Sequence, residues 1–162
     1  MQATIAHLVR RTRQHHAIEH ATIHLLAARH QRIAIAGLSD PWGFTLYGNV
    51  PEDAVRKATS EALLRLQAGE SNLAIHPNCG TNIAASTVLI TAAALLGSRG
   101  NRHIVEKFAT TGLMVLAAMI AAQPLGLRLQ RYTTLADVAD RWLVSIDPIL
   151  DGERSAYRVT LE

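Results

Sequence analysis

Lysine and cysteine are almost missing from this chain. Among its 162 residues only Lys57 and Lys107 are lysines, so the 16 basic residues are nearly all arginine. They are scattered, the net charge is only +3, and no run is long enough to make a nucleic-acid footprint. Aromatic residues make up 4% of the chain, too few for base-stacking platforms. Nucleic acid is therefore not an expected partner. The single cysteine, Cys79, can form no internal disulfide, so an oxidising compartment is not implied. The N-terminal stretch MQATIAHLVRRTRQ has no apolar core before a cleavage site and does not read as a secretory signal. No glycine-rich phosphate loop and no G-x-S-x-G is present, which removes support for nucleotide and serine-hydrolase chemistry.

Charge is also missing from two long stretches, Cys79–Ser98 and Phe108–Leu127. Each is close to the ~20 residues that a helix needs to cross a bilayer core. The charged link Arg99–Lys107 between them suits two antiparallel helices, and their many Gly, Ala, Ser and Thr residues allow close approach in lipid. Pro124 is expected to kink or end the second helix. Arg99, Arg102 and Lys107 in the link are nearly balanced by Arg65, Arg128, Arg131 and Arg141 outside it, so charge alone fixes orientation weakly. The free cysteine and the missing signal favour a bacterial inner membrane with both termini in the cytoplasm.

What precedes the hairpin reads as a small α/β head, giving an α+β fold class overall. Residues 5–29 form a helix with Ile18, Ala21, Leu25 and Ala28 as a core stripe. RIAIAGL and GFTLYGNV read as strands joined by the turn formers of SDPWG. Pro51 opens a second helix that stops near Gly69. NLAI (72–75) is expected to be a third strand. After the hairpin, WLVSIDPIL and AYRVTLE flank DGER as a β-hairpin, with Asp151 and Gly152 as turn residues, able to join the front sheet. The expected organisation is 1–78 head, 79–127 transmembrane helical hairpin, and 128–162 C-terminal segment packing on the head.

Four of the eight histidines fall in RQHHAIEHATIH, Arg13–His24. On a helical wheel His16 and His20 share one face and His24 continues it. Glu19 and His15 lie on the flank. Ala17, Ile18, Ala21 and Leu25 occupy the opposite, inward face. Two imidazoles at i and i+4 can reach one Zn²⁺ at about 2.0–2.1 Å. A glutamate beside a ligand can take the proton of the water that the metal activates. The alternative is an ordinary solvated helix face.

HPNCGTN (76–82) supplies further ligand types. His76 is the first choice for a third ligand and Cys79 the second, while Asn78 or Thr81 could cap the following helix. SDPWGFTLYGN could wall a cleft or seat Trp42 and Tyr47 at a lipid–water interface, although ordinary cross-strand packing explains it as well.

The spacing His16-Ala17-Ile18-Glu19-His20 resembles the inverted zincin motif H-x-x-E-H. That resemblance implies His16 and His20 as metal ligands and Glu19 as general base. HHAIEHATIHLL, GLSDPWGFTLYGNVP and HPNCGTN, followed by two apolar stretches, together resemble an uncharacterised bacterial two-span membrane-protein family. This likeness implies a membrane protein and the grouping of these motifs, with no activity attached.

The leading expectation is a membrane-anchored zinc hydrolase of peptidase type, with Glu19 catalytic and His16, His20 and His76 on the metal. The alternative is a non-enzymatic membrane-complex subunit whose histidines, His15 and His24 included, ligate a haem, a chlorin or a structural metal. A third option is an accessory subunit that uses the histidines as a polar contact surface. Membrane lipid is the expected partner, with another membrane protein or a second copy of the chain beside it.

Overall fold

A computed structural model describes residues 2–30, 33–101, 103–151 and 154–162. The fold is α+β, and the chain divides into two units, one made of 1–76 with 133–162 and the other of 77–132.

The first unit is built around helix α1, Gln2–Arg29. No glycine or proline interrupts its 28 residues, and Ala, Leu, Arg and Gln recur throughout. Its first turns are largely exposed. From Gln14 to Leu26 every residue is buried except His16 and His24, which are half-buried. The wheel predicts one buried face; over this stretch burial extends round the helix except at the half-buried His16 and His24. Strands β1 (Ala36–Asp40) and β2 (Gly43–Tyr47) and helix α2 (Glu52–Gln67) pack directly on it. Ile18 and Leu26 of α1 meet Phe44, Leu46, Val55, Val138, Val159 and Leu161 in one core. Burying each such side chain contributes about 1.5–3 kcal/mol.

Strands β3 (Leu143–Asp151) and β4 (Arg154–Leu161) complete a sheet of order β1-β2-β4-β3 in which all neighbours are antiparallel. The late strands do join the front hairpin, since β4 pairs with β2 from Gly43↔Thr160 to Tyr47↔Ala156. Gly152, expected as a turn residue with Asp151, lies outside the described residues. Between β1 and β2 the turn is Pro41–Trp42, with the Trp42 amide donating to Asp40 Oδ1 at 2.8 Å. Pro51 caps α2, acids fill the first turn, and Gly69 follows its end at φ +94°.

NLAI is not a strand. Ser71–Ala74 is a turn of 3-10 helix whose amides bond locally, Leu73 to the Glu70 carbonyl and Ile75 to that of Asn72. With its amides so occupied the segment has no ladder to offer the sheet, and the carbonyls of Ala74 and Ile75 face α1 instead. β1 also sits later than the expected 32–38, ending at Asp40.

The second unit holds α3 (Gly80–Gly97) and α4 (Ile104–Thr133), both long and apolar enough to cross a membrane. At 1.5 Å per residue the 18 residues of α3 span about 27 Å, near the ~30 Å of a hydrocarbon core. Pro124 does not end α4, which continues nine residues to Thr133. On α4 the buried residues are Ala118, Ala122, Gly126 and Gln130, one every fourth position. Gly126 packs against Asn82, and Gly97 against Thr111. The Gln130 amide donates to Asn82 Oδ1 at 2.9 Å, and Asn82 donates to the Pro77 carbonyl at 2.6 Å. Cys79, rather than Asn78 or Thr81, is the N-cap of α3, its Sγ accepting from the Thr81 amide at 3.4 Å.

Candidate metal centre

Three histidines of α1 are tied to the backbone by one ring nitrogen each. His16 Nδ1 donates to the Thr133 carbonyl at 3.1 Å, His20 Nδ1 to Ala74 at 2.7 Å, and His24 Nε2 to Ile75 at 2.8 Å. A carbonyl only accepts, so each bonded nitrogen carries the proton. The neutral ring then has its lone pair on the other nitrogen: Nε2 of His16 and His20, Nδ1 of His24. This is the carbonyl support that orients metal-ligating imidazoles.

The structure brings His76 to the same face. Ring centroids are 4.3 Å apart for His16 and His20, 5.8 Å for His20 and His76, and 4.6 Å for His24 and His76. Imidazoles sharing one tetrahedral ion at about 2.0–2.1 Å have centroids about 5 Å apart, and the neighbouring rings of this row are spaced near that value pair by pair. Burial, reinforced by the charges that His24 and His20 would carry, lowers the His76 pKa to about 4. The ring is therefore neutral at pH 7, the form a metal needs.

Glu19 and His15 point elsewhere. The Ser39 hydroxyl donates to Glu19 Oε2, and the carboxylate lies against Gly37, both on β1. Glu19 is only 4% exposed. His15 is fully buried and donates from Nδ1 to the Asp40 carbonyl at 2.9 Å; its Nε2 has no hydrogen-bond partner. Its pKa is lowered, first by burial and then by Arg11 and Arg141 against the opposing pull of Asp40. Arg158 clamps Asp40 through two hydrogen bonds of 2.6 and 2.8 Å and holds its carboxyl below the usual range. Asp140, bonded by Arg141 and Gln14, is lowered to about 2, chiefly by Arg141. Thus the wheel's flank of Glu19 and His15 belongs to the sheet side of α1, and the His16–His20–His24 line to the side of the 3-10 turn and His76. Cys79 is buried at the start of the hairpin unit. Trp42 is 60% exposed and Tyr47 39%.

Sequence reasoning missed the groups that orient the imidazoles. The carbonyls of Ala74, Ile75 and Thr133 carry no side-chain signal. Ser39 and Gly37 were visible in GLSD, but only the pairing of α1 with β1 gives them a task.

The family model that matches residues 11–146 is the domain of unknown function DUF6391, and it covers the histidine helix, the hairpin and the start of β3. The chain belongs to this family. It is also similar to an uncharacterised protein of Picosynechococcus sp., with 45% identity over 89 residues, 49% of this chain. The matched part is 43% of that relative's length. No solved structure matches the chain.

Proposed function

We propose that this DUF6391 protein is a membrane-anchored metal protein whose centre is His16, His20 and His76, with zinc as the ion that suits an all-imidazole set. The observation that carries the reading is the anchoring of the α1 histidines to backbone carbonyls with His76 in ring contact beside them. The activity proposed is hydrolysis, with peptides as the substrate class to which the H-x-x-E-H spacing points. Zinc, when bound, supplies a Lewis acid and a water acidified to near neutral pH. Glu19, held by Ser39 on the β1 side of α1, would serve as the general base by turning from that hydroxyl towards this water.

The apolar helices are proposed to cross the bacterial inner membrane, with both termini in the cytoplasm. Val88, Phe108 and Ile120 are at least 70% exposed, which suits a lipid surround. Another membrane protein or a second copy of the chain would share that surface.

One observation favours a second reading, a non-enzymatic subunit holding a haem, a chlorin or a structural metal. His20 is 2% exposed and Glu19 4%, tight quarters for a substrate. An absorption spectrum and elemental analysis of protein purified without a His tag separate the two. A Soret band means a tetrapyrrole. Under the zinc reading the sample is colourless, and His16→Ala and His20→Ala each lose metal. Glu19→Gln then keeps its metal and loses roughly 10²–10⁴ of the rate of peptide-library hydrolysis. Full metal with no activity in the wild type would leave only the structural role.

A further inference from the structure

The proposed centre uses three histidines and leaves His24 without a task. His24 is one turn beyond His20 on α1, and its ring is 4.6 Å from that of His76. Its support is reversed relative to its neighbours. Nε2 donates to the Ile75 carbonyl, so Nδ1 carries the lone pair, whereas His16 and His20 are held through Nδ1. Exposure differs as well. His24, His76 and His16 are half-buried and His20 is 2% exposed, so of the ring pairs in this row only His24–His76 has both members half-buried. The four rings form a ladder with centroid steps of 4.6, 5.8 and 4.3 Å, running from His24 through His76 and His20 to His16.

We propose that His24 is a metal-loading residue: with His76 it makes a first two-imidazole site that captures a divalent transition-metal ion and hands it to His20 and His16. This rests on the metal centre proposed above. A hydrated ion reaching buried His20 directly would have to shed several waters at once. Capture at the half-buried pair replaces two waters with two imidazoles first. Two imidazoles hold zinc weakly, so the ion stays exchangeable; three or more ligands then hold it in the completed set. His76 belongs to both positions. In the transfer the His24–metal bond breaks as bonds to His20 and His16 form, with no change of oxidation state.

The test uses the full chain in detergent, stripped with a chelator and then supplied with zinc. Uptake is followed in a stopped-flow instrument by competition with a chromophoric chelator, and final metal content by elemental analysis. His24→Ala is expected to load zinc more slowly, and to release it more slowly to excess chelator, while reaching the wild-type content. His24→Gln keeps a donor for the Ile75 carbonyl and should behave the same way, which separates loading from local folding. His20→Ala should lose final content. Should the His24 variants lose content as His20→Ala does, His24 is an ordinary ligand and the proposal fails. Wild-type rates in both His24 variants would overturn it equally. A wild-type protein that takes up no zinc at all marks failure of the centre itself, a result distinct from either.

Discussion

Gly37 decides how Glu19 sits. A Cβ built there would collide with the Glu19 carboxylate, so only glycine lets β1 come this close to α1. Gly37→Ala should force Glu19 off Ser39 and lower stability by about 1–3 kcal/mol, the usual cost of overpacking. Thermal melting reads the loss, and an unchanged melting point would mean that the carboxylate moves freely. His76 offers a second test at this scale, in chelator-treated protein. Its pKa falls from 6.5 in the unfolded chain to about 4 in the folded one. Between those values the unfolded chain binds more protons, so stability rises with pH across the window. It is complete above about 6.5 and is lost as pH falls towards 4. Buried His15 is shifted the same way. His76→Gln should therefore show a shallower fall in melting temperature between pH 6.5 and 4 than the wild type, with the remaining slope left to His15 and, near pH 4, to paired carboxylates such as Asp140. Equal slopes would mean that His76 is solvated.

Among the elements, the apolar hairpin carries a polar clasp. Gln130 is fully buried and donates to Asn82, which donates in turn to the Pro77 carbonyl. Asn82→Ala removes one partner of a buried amide and should cost roughly 1 kcal/mol, the scale of interhelical hydrogen bonds in membranes. Unfolding in mild detergent measures it; a variant as stable as the parent would show the clasp to be idle. The clasp also marks where sequence reading stops. The apolar runs showed two long helices, and the alternation in GFTLY and in the late strands showed β structure. The end of the second helix was placed at Leu127 because charge resumes at Arg128, yet α4 continues through Arg128 and Arg131. A hydropathy pattern sees the change of environment, whereas the helix follows its own backbone bonds and its buried Gln130. NLAI misled for a related reason: four apolar-rich residues look like a strand until their amides are found bonding locally and their carbonyls serving His20 and His24. At the site, the i, i+4 spacing of His16 and His20 and the candidacy of His76 were legible. The separation of Glu19 and His15 towards β1 was not, because it depends on which neighbour each flank of α1 meets.

For the whole molecule, the strand pairing constrains how the chain can cross a membrane. β4 lies between β2 and β3, so residues before and after the hairpin are joined in one sheet. A sheet cannot be shared across a bilayer, because every backbone group in the hydrocarbon must be satisfied within a helix or a closed barrel. If α3 crosses, α4 must return, and residues 1–76 and 133–162 must face the same compartment. Single cysteines at Ala68 and Glu162, both exposed, should then react with the same impermeant maleimide, and one at exposed Asn101 should react from the opposite side. The background for these reporters is Cys79→Ser, which keeps a good N-cap for α3. With the termini in the cytoplasm, Asn101 should label in intact spheroplasts, and Ala68 and Glu162 only after permeabilisation. The reverse pattern would keep two spans but invert the orientation. Labelling of all three positions from one side would show that the hairpin does not cross, and release of the intact protein by carbonate without detergent would agree with it. Opposite accessibility of Ala68 and Glu162 would contradict the β2–β4 pairing itself.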